Sequence, residues 1–197
     1  MRPVEPLGGR TLTGRFIALE PLEKRHFDGL VDAGRDPSIW TYMPHDASKG
    51  PMAFMKWLTA ENEAGRMLSF AVRRLADNRL VGSTSYLAIV PEHARVEIGA
   101  TWYEPSAQAT AVNPEAKYLL FGHAFGAHYN RVELKTDAKN ARSRAAMRKM
   151  GAIEEGTLRR HMWMPQGYWR DSVFFSVVAS EWPAVKAKFE ARLAAFA

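Results

Sequence analysis

A glutamate beside a residue with no side chain is the first place in this chain where chemistry could occur. From Val96 to Tyr103 the residues alternate. Val96, Ile98, Ala100 and Trp102 point one way, and Glu97, Gly99, Thr101 and Tyr103 the other. The first set makes a core face. On the second, the Glu97 carboxylate stands next to Gly99, which leaves room for a ligand; an edge or solvent face carrying one charge accounts for the same pattern. A second place is the helix start at Asn113-Pro114-Glu115. Asn is a preferred N-cap, Pro fits the first helical position, and Glu suits the positive helix end. Backbone N–H groups of that first turn aim back at the preceding loop and make a ready site for phosphate. A third is Asn140 with Ser143, the only hydroxyl on a short basic helix. Asn140 can cap that helix with Ser143 at its third position, and capping and packing account for the pair as well as ligand contact does.

The elements that must position these groups follow one another closely. A strand (96–103), a loop (104–112), a helix (113 to about 129), a second strand (131–137) and the short helix (140–150) run without a break. Leu119, Leu120, Ala124 and Ala127 give the longer helix an apolar stripe. Gly122 and Gly126 lower its propensity and suggest a close approach to the sheet. Val132, Leu134 and Thr136 share one face of the second strand.

In this order and spacing, Glu97-Ile98-Gly99, the loop Gln108-Ala109-Thr110-Ala111-Val112-Asn113, Asn140-Ala141-Arg142-Ser143 and Lys149-Met150-Gly151-Ala152 resemble the acetyl-CoA-binding core of the GNAT superfamily of N-acetyltransferases. The branch most resembled is that of the ribosomal-protein N-terminal acetyltransferases, and the likeness runs from about Phe16 to about Val178. It implies an α/β (α+β) GNAT-like fold: a central, mostly antiparallel mixed sheet with one splayed parallel pair, flanked by helices. It implies acetyl-CoA held by Trp102, Tyr103, Gln108, Thr110, Ala111, Val112, Asn113, Asn140 and Ser143, and an acceptor site walled by Trp40, Tyr42 and His45. There are two departures from the family pattern. Ala111 and Asn113 stand where the loop usually has glycine, which backbone N–H binding tolerates if no positive φ is needed. Met147 stands where many members carry a Tyr that protonates the leaving thiolate, which a Met cannot do.

At 197 residues the chain has the length of one domain with a substantial core, read here as 1–197 with the CoA-binding part at about 96–151. Absence of cysteine excludes disulfides, thiolate metal sites and a Cys nucleophile. The six histidines show no metal-ligand spacing, so no metal is expected. No apolar run is long enough to span a membrane, and Met1-Arg2-Pro3-Val4-Glu5 does not begin a signal peptide, which points to a cytoplasmic protein without a membrane partner. Residues 131–170 hold ten Lys or Arg against four Asp or Glu, the whole of the net +6. Such a half suggests a polyanion, either the CoA tail or nucleic acid, while solvated surface charge explains many of these residues too.

The remaining chain reads as support. An extended lead-in (1–14), a strand (15–19), a helix (23–34), an aromatic turn (39–46), a helix (52–64) and a hairpin (68–75, 80–90, turning at Asp77-Asn78) precede the core stretch. A terminal hairpin (159–164, 170–178) follows. Ser180 can cap a last helix whose Val185, Phe189, Leu193 and Phe196 are core or homodimer contact.

The chemistry the resemblance implies is direct acetyl transfer from a CoA thioester to a primary amine, of a protein N-terminus or a small molecule. Glu97 would take the amine proton, directly or through water, and Ser143 would donate toward the thiolate. A rival reading is a non-catalytic module of the same fold that senses CoA or binds nucleic acid.

Overall fold

The structure, a computed structural model, describes residues 3–196; Met1 and Arg2, with which the expected lead-in begins, lie outside it. Eight strands form one sheet in the order β1-β2-β3-β4-β5-β6-β8-β7. These are β1 (Leu12–Thr13), β2 (Ile17–Pro21), β3 (Met67–Arg74), β4 (Arg79–Val90), β5 (Arg95–Tyr103), β6 (Arg131–Asp137), β7 (Ile153–Met164) and β8 (Tyr168–Val178). The helices are α1 (Phe27–Ala33), α2 (Pro51–Glu63), α3 (Val112–Gly126), α4 (Ala141–Met150) and α5 (Trp182–Ala194). Every neighbouring pair of strands is antiparallel except β5 and β6, joined by the α3 crossover.

Two layers of side chains hold the sheet. On one face α3 and α5 bury Val96, Ile98, Tyr103, Val132, Leu134, Val173 and Phe175 against Leu120, Phe121, Val185 and Phe189. On the other, α1 and α2 bury Leu30, Trp40, Phe54 and Leu58 against Met67, Ala71 and Trp102. Each large apolar side chain closed off in this way contributes about 1.5–3 kcal/mol. Val185 and Phe189, left open between core and dimer contact, are core residues packed on α3.

The strand expected at 96–103 forms, but its alternation does not run through. Ser85 pairs with Gly99 and Ser83 with Trp102, so Ala100 and Thr101 stand against one residue of β4. Ala100 takes a left-handed φ of 47°, and the bulge turns the strand over. Val96, Ile98 and Tyr103 therefore share the α3 face, while Ala100 and Trp102 join the α1/α2 cluster, against the expectation that Trp102 sides with Val96.

Three further expectations are corrected. Helix α3 starts at Val112 with Ala111 as its N-cap, so Asn113 is not the cap. Pro114 sits in the first turn, where a missing N–H costs nothing. Gly122 does not approach the sheet: a Cβ there would meet Trp182 of α5 at 3.7 Å, and at Gly126 it would meet nothing within 4 Å. Helix α5 is preceded by Glu181 rather than Ser180, the Glu181 carboxylate accepting the Val178 N–H at 2.9 Å.

Candidate active site

The site begins where two parallel strands stop pairing. Arg95, Val96 and Glu97 of β5 pair with Arg131, Val132 and Glu133 of β6, and there the ladder ends. Beyond it both strands continue, β5 to Tyr103 and β6 to Asp137. Ala100 and Thr101 have no paired residue on either β4 or β6. A slot lined by unpaired backbone therefore opens next to Glu97. Glu97 is 5% exposed, and its Oε2 accepts from Lys135 Nζ at 2.7 Å across the mouth of the slot. Gly99 lies against the same carboxylate, since a Cβ there would fall 2.9 Å from Glu97 Oε1.

The lower wall is the loop into α3. Thr110 Oγ1 donates to the Ala107 carbonyl at 2.7 Å and accepts from the Val112 N–H at 3.3 Å. The first intrahelical bond runs from Glu115 N–H to the Ala111 carbonyl, so the N–H groups before it aim out of the helix end. Ala109, with φ 60°, makes the turn that feeds the helix. Gln108 donates from Nε2 to the Tyr103 carbonyl and accepts from Arg142 at 2.6 Å, which ties the end of β5 to α4. A cleft of about 420 Å³ at this helix end is lined by Arg15, Arg74, Thr110, Ala111 and Val112. Glu115 anchors the arrangement: buried, it accepts from the N–H groups of Arg15, Phe16 and Ile17 at 2.7, 2.7 and 2.8 Å.

Helix α4 lies on the far side. The Asn140 side chain caps it by accepting from the Ser143 N–H at 3.0 Å, and Gly151 closes it with φ 96°. Ser143 is half-buried in its first turn, and Met147 is buried in the core.

Of the three residues expected to wall the acceptor, Trp40 and His45 both pack on Phe54, with ring centroids 5.2 and 5.7 Å away. Trp40 is 1% exposed, donates to the Gly34 carbonyl and packs on Phe54 and Trp102. His45 stacks on Trp57 of α2 with ring centroids 4.1 Å apart, and burial pulls its pKa down. Tyr42 alone lies within electrostatic reach of Tyr168 on β8.

A polar face that sequence reasoning missed does adjoin Glu97. Tyr168, Arg170 and Ser172 alternate along β8, with Ser172 paired to Asp137. Tyr168 donates to Asp137 Oδ2 at 2.5 Å, and His161 Nδ1 lies 2.9 Å from Ser172 Oγ. Desolvation, with the charges of Lys135 and Arg170, lowers the His161 pKa. Part of the signal was present: along β8 Tyr168, Arg170, Ser172 and Ser176 share one face opposite Val173, Phe175 and Val177, a pattern that Asp171 and Phe174 interrupt. On α3, Lys117 is buried and donates to Thr101 Oγ1 at 2.7 Å; burial pulls its pKa down to about 7.

Among the described residues no cluster of three or more His, Cys, Asp or Glu could hold a metal, and no helix is long and apolar enough to cross a membrane.

The sequence matches a family model described as an acetyltransferase (GNAT) domain over residues 17–153. A GCN5-related N-acetyltransferase from Brucella melitensis superposes with a TM-score of 0.90 at 29% identity, covering 98% of this chain and 89% of that one. A probable GNAT-family acetyltransferase from Chromobacterium violaceum does so with a TM-score of 0.87 at 30% identity, covering 93% of each chain. RimJ of Mycobacterium smegmatis, solved in complex with CoA-disulfide, shares the fold with a TM-score of 0.79 at 24% identity, covering 95% and 97%. No curated protein matches the sequence.

Proposed function

Because the chain belongs to the GNAT acetyltransferase family, we propose that it moves an acetyl group from acetyl-CoA to a primary amine by direct attack while both are bound. The observation that carries this reading is the slot itself. Strand pairing stops after Glu97 and Glu133, and a buried carboxylate stands at the opening. The loop 108–113 and the start of α3 would hold the CoA phosphates through backbone N–H groups. Trp102 and Tyr103 at the end of β5, with Asn140 and Ser143 at the start of α4, would complete the CoA site, and the unpaired backbone at Ala100 and Thr101 would offer donors to a thioester carbonyl. Acetyl-CoA supplies an activated acyl group; the chain supplies alignment and a proton acceptor.

Glu97 is the proposed base. An amine is mostly protonated at neutral pH and must lose a proton to attack. Lys135 holds Glu97 at the slot mouth, so the carboxylate keeps one orientation. Ser143 is the proposed donor toward the leaving thiolate, since Met147 has no proton to give.

The test is an acyl-CoA and amine panel read by release of free thiol, with calorimetry of acetyl-CoA binding alongside. Tight acetyl-CoA binding with amine-dependent thiol release is the expected result. Acetyl-CoA binding with no thiol release for any amine would return the chain to the rival reading of a CoA-sensing module.

A further inference from the structure

One charge on the polar face has no partner. Arg170 of β8 is 5% exposed, and its Nε is shut off from solvent without a hydrogen bond. No ion pair or side-chain hydrogen bond from its guanidinium occurs among the described residues. The nearby carboxylates are engaged elsewhere: Glu97 with Lys135, and Asp137 with the Tyr168 hydroxyl and the Lys139 N–H. A guanidinium keeps its proton in any folded protein, and a buried charge without a counterion is costly. The fork of N–H donors on arginine fits a planar carboxylate.

We infer that Arg170 is a substrate-binding residue for the carboxylate of the acceptor, and that the acceptor is therefore a small amine carrying a carboxylate, an amino acid or a close relative. Arg170 lies on the strand face that also carries Tyr168 and Ser172, beside Asp137 and within electrostatic reach of Glu97. A short molecule anchored there by its carboxylate turns its amine toward Glu97. The end of this face is closed. Gln166, at the tip of the β7–β8 hairpin, donates to the carbonyls of Trp40 and Met43 at 3.0 and 3.4 Å, and Met164 beneath it is fully buried. That closure suits a small acceptor better than a polypeptide running past Arg170.

This inference rests on the acetyl-transfer reading, and its test separates the two. Acetyl transfer to tyrosine and leucine is compared with transfer to tyrosinamide, leucinamide and the peptide Leu-Gly-Gly. The amides keep the amine and lose the charge. The free acids should show kcat/KM about tenfold or more above their amides, the size of one charge-assisted hydrogen bond. That preference should vanish in Arg170→Gln and return in part in Arg170→Lys. Leu-Gly-Gly, whose carboxylate sits two residues farther away, should behave like the amide. Thermal shift in saturating CoA gives a readout without turnover: leucine should raise the melting temperature of the parent and not that of Arg170→Gln. Equal rates for acids and amides in the parent protein, or a peptide preferred over leucine, would overturn the inference and leave acetyl transfer standing. A leucine-dependent shift with no thiol release from any amine would uphold the carboxylate site and overturn acetyl transfer; neither shift nor release would overturn both.

Discussion

Replacing Glu97 by Gln tests the proposed reaction at its centre. The substitution keeps the side-chain shape and removes the proton acceptor. In the folded protein it also removes the partner of Lys135, whose Nζ sits 2.7 Å from Glu97 Oε2. Lys135 is about a quarter exposed, so its ammonium can turn to water, and the stability cost should stay near 1–2 kcal/mol. A positioned base contributes at least about a hundredfold in rate, equivalent to about 2.7 kcal/mol of barrier. Thiol release at pH 7 should therefore fall by roughly that factor while acetyl-CoA affinity holds. Raising the pH supplies free amine without help from the protein, so the variant should regain part of the loss by about pH 9, where the parent gains less. The measurement is initial rate against pH with saturating acetyl-CoA, with melting temperature as the folding control. A Glu97→Gln enzyme with the parent's rate and pH profile would remove Glu97 from the reaction. His161, whose pKa is lowered and whose Nδ1 meets Ser172, would then be the next candidate base.

Three other substitutions probe the supports. Ala111 has φ −65°, the angle proline prefers, so Ala111→Pro should fold and lose one N–H at the helix end; acetyl-CoA should bind about tenfold or more weakly by calorimetry, and unchanged affinity would sink the phosphate loop. Glu115→Gln takes the charge from a carboxylate that accepts three backbone N–H groups, and should cost about 2–3 kcal/mol, read as a melting point several degrees lower. Lys117 titrates near 7 when folded and near 10.4 when unfolded, so between those values the unfolded chain binds more protons and stability rises with pH. Lys117→Met should be more stable than the parent at pH 7 and should lack that rise; a parent whose melting temperature is flat from pH 7 to 10 would contradict the buried, proton-shedding lysine.

Local signals carried the elements well. The Asp77-Asn78 turn forms with Asn78 at φ 57°, and the strand 131–137 and the Asn140 cap stand where their residue types put them. What local signals could not carry was the break in a period. Alternation assigns faces only while pairing is regular, and a bulge shifts the phase by one. At Ala100 the bulge moved Trp102 to the opposite layer. On β7 another irregularity, between Leu158 and Met162 with Arg160 at φ 48°, falls in the stretch that brings His161 to Ser172. Both positions are alanine or arginine, which do not advertise a left-handed backbone as glycine or asparagine would. The Trp40 to Asp46 segment shows a related limit. Aromatic residues near a turn suit a ligand wall and a core equally well, and only the fold shows that Trp40 and His45 pack on Phe54, Trp57 and Trp102.

The basic stretch 131–170 shows the same limit in terms of charge, and it bears on the acceptor. As a count it suggested a polyanion. In the fold Arg131 pairs with Glu133 and Glu155, Lys135 with Glu97, and Arg144 and Arg148 with Glu154. Arg142 is held by Gln108, and Lys139 lies over the Tyr168 ring at 3.9 Å. Cations tied up in this way offer little to a nucleic-acid backbone, which binds by recruiting free Lys and Arg; Lys149, Arg159 and Arg160 are exposed and have no such partner among the described residues. Arg170 differs from them in being buried as well as unpaired. Exposed cations are solvated whether or not a ligand arrives, so their number is a weak signal. A buried one is not, and its missing hydrogen-bond partner is the stronger pointer to what binds here.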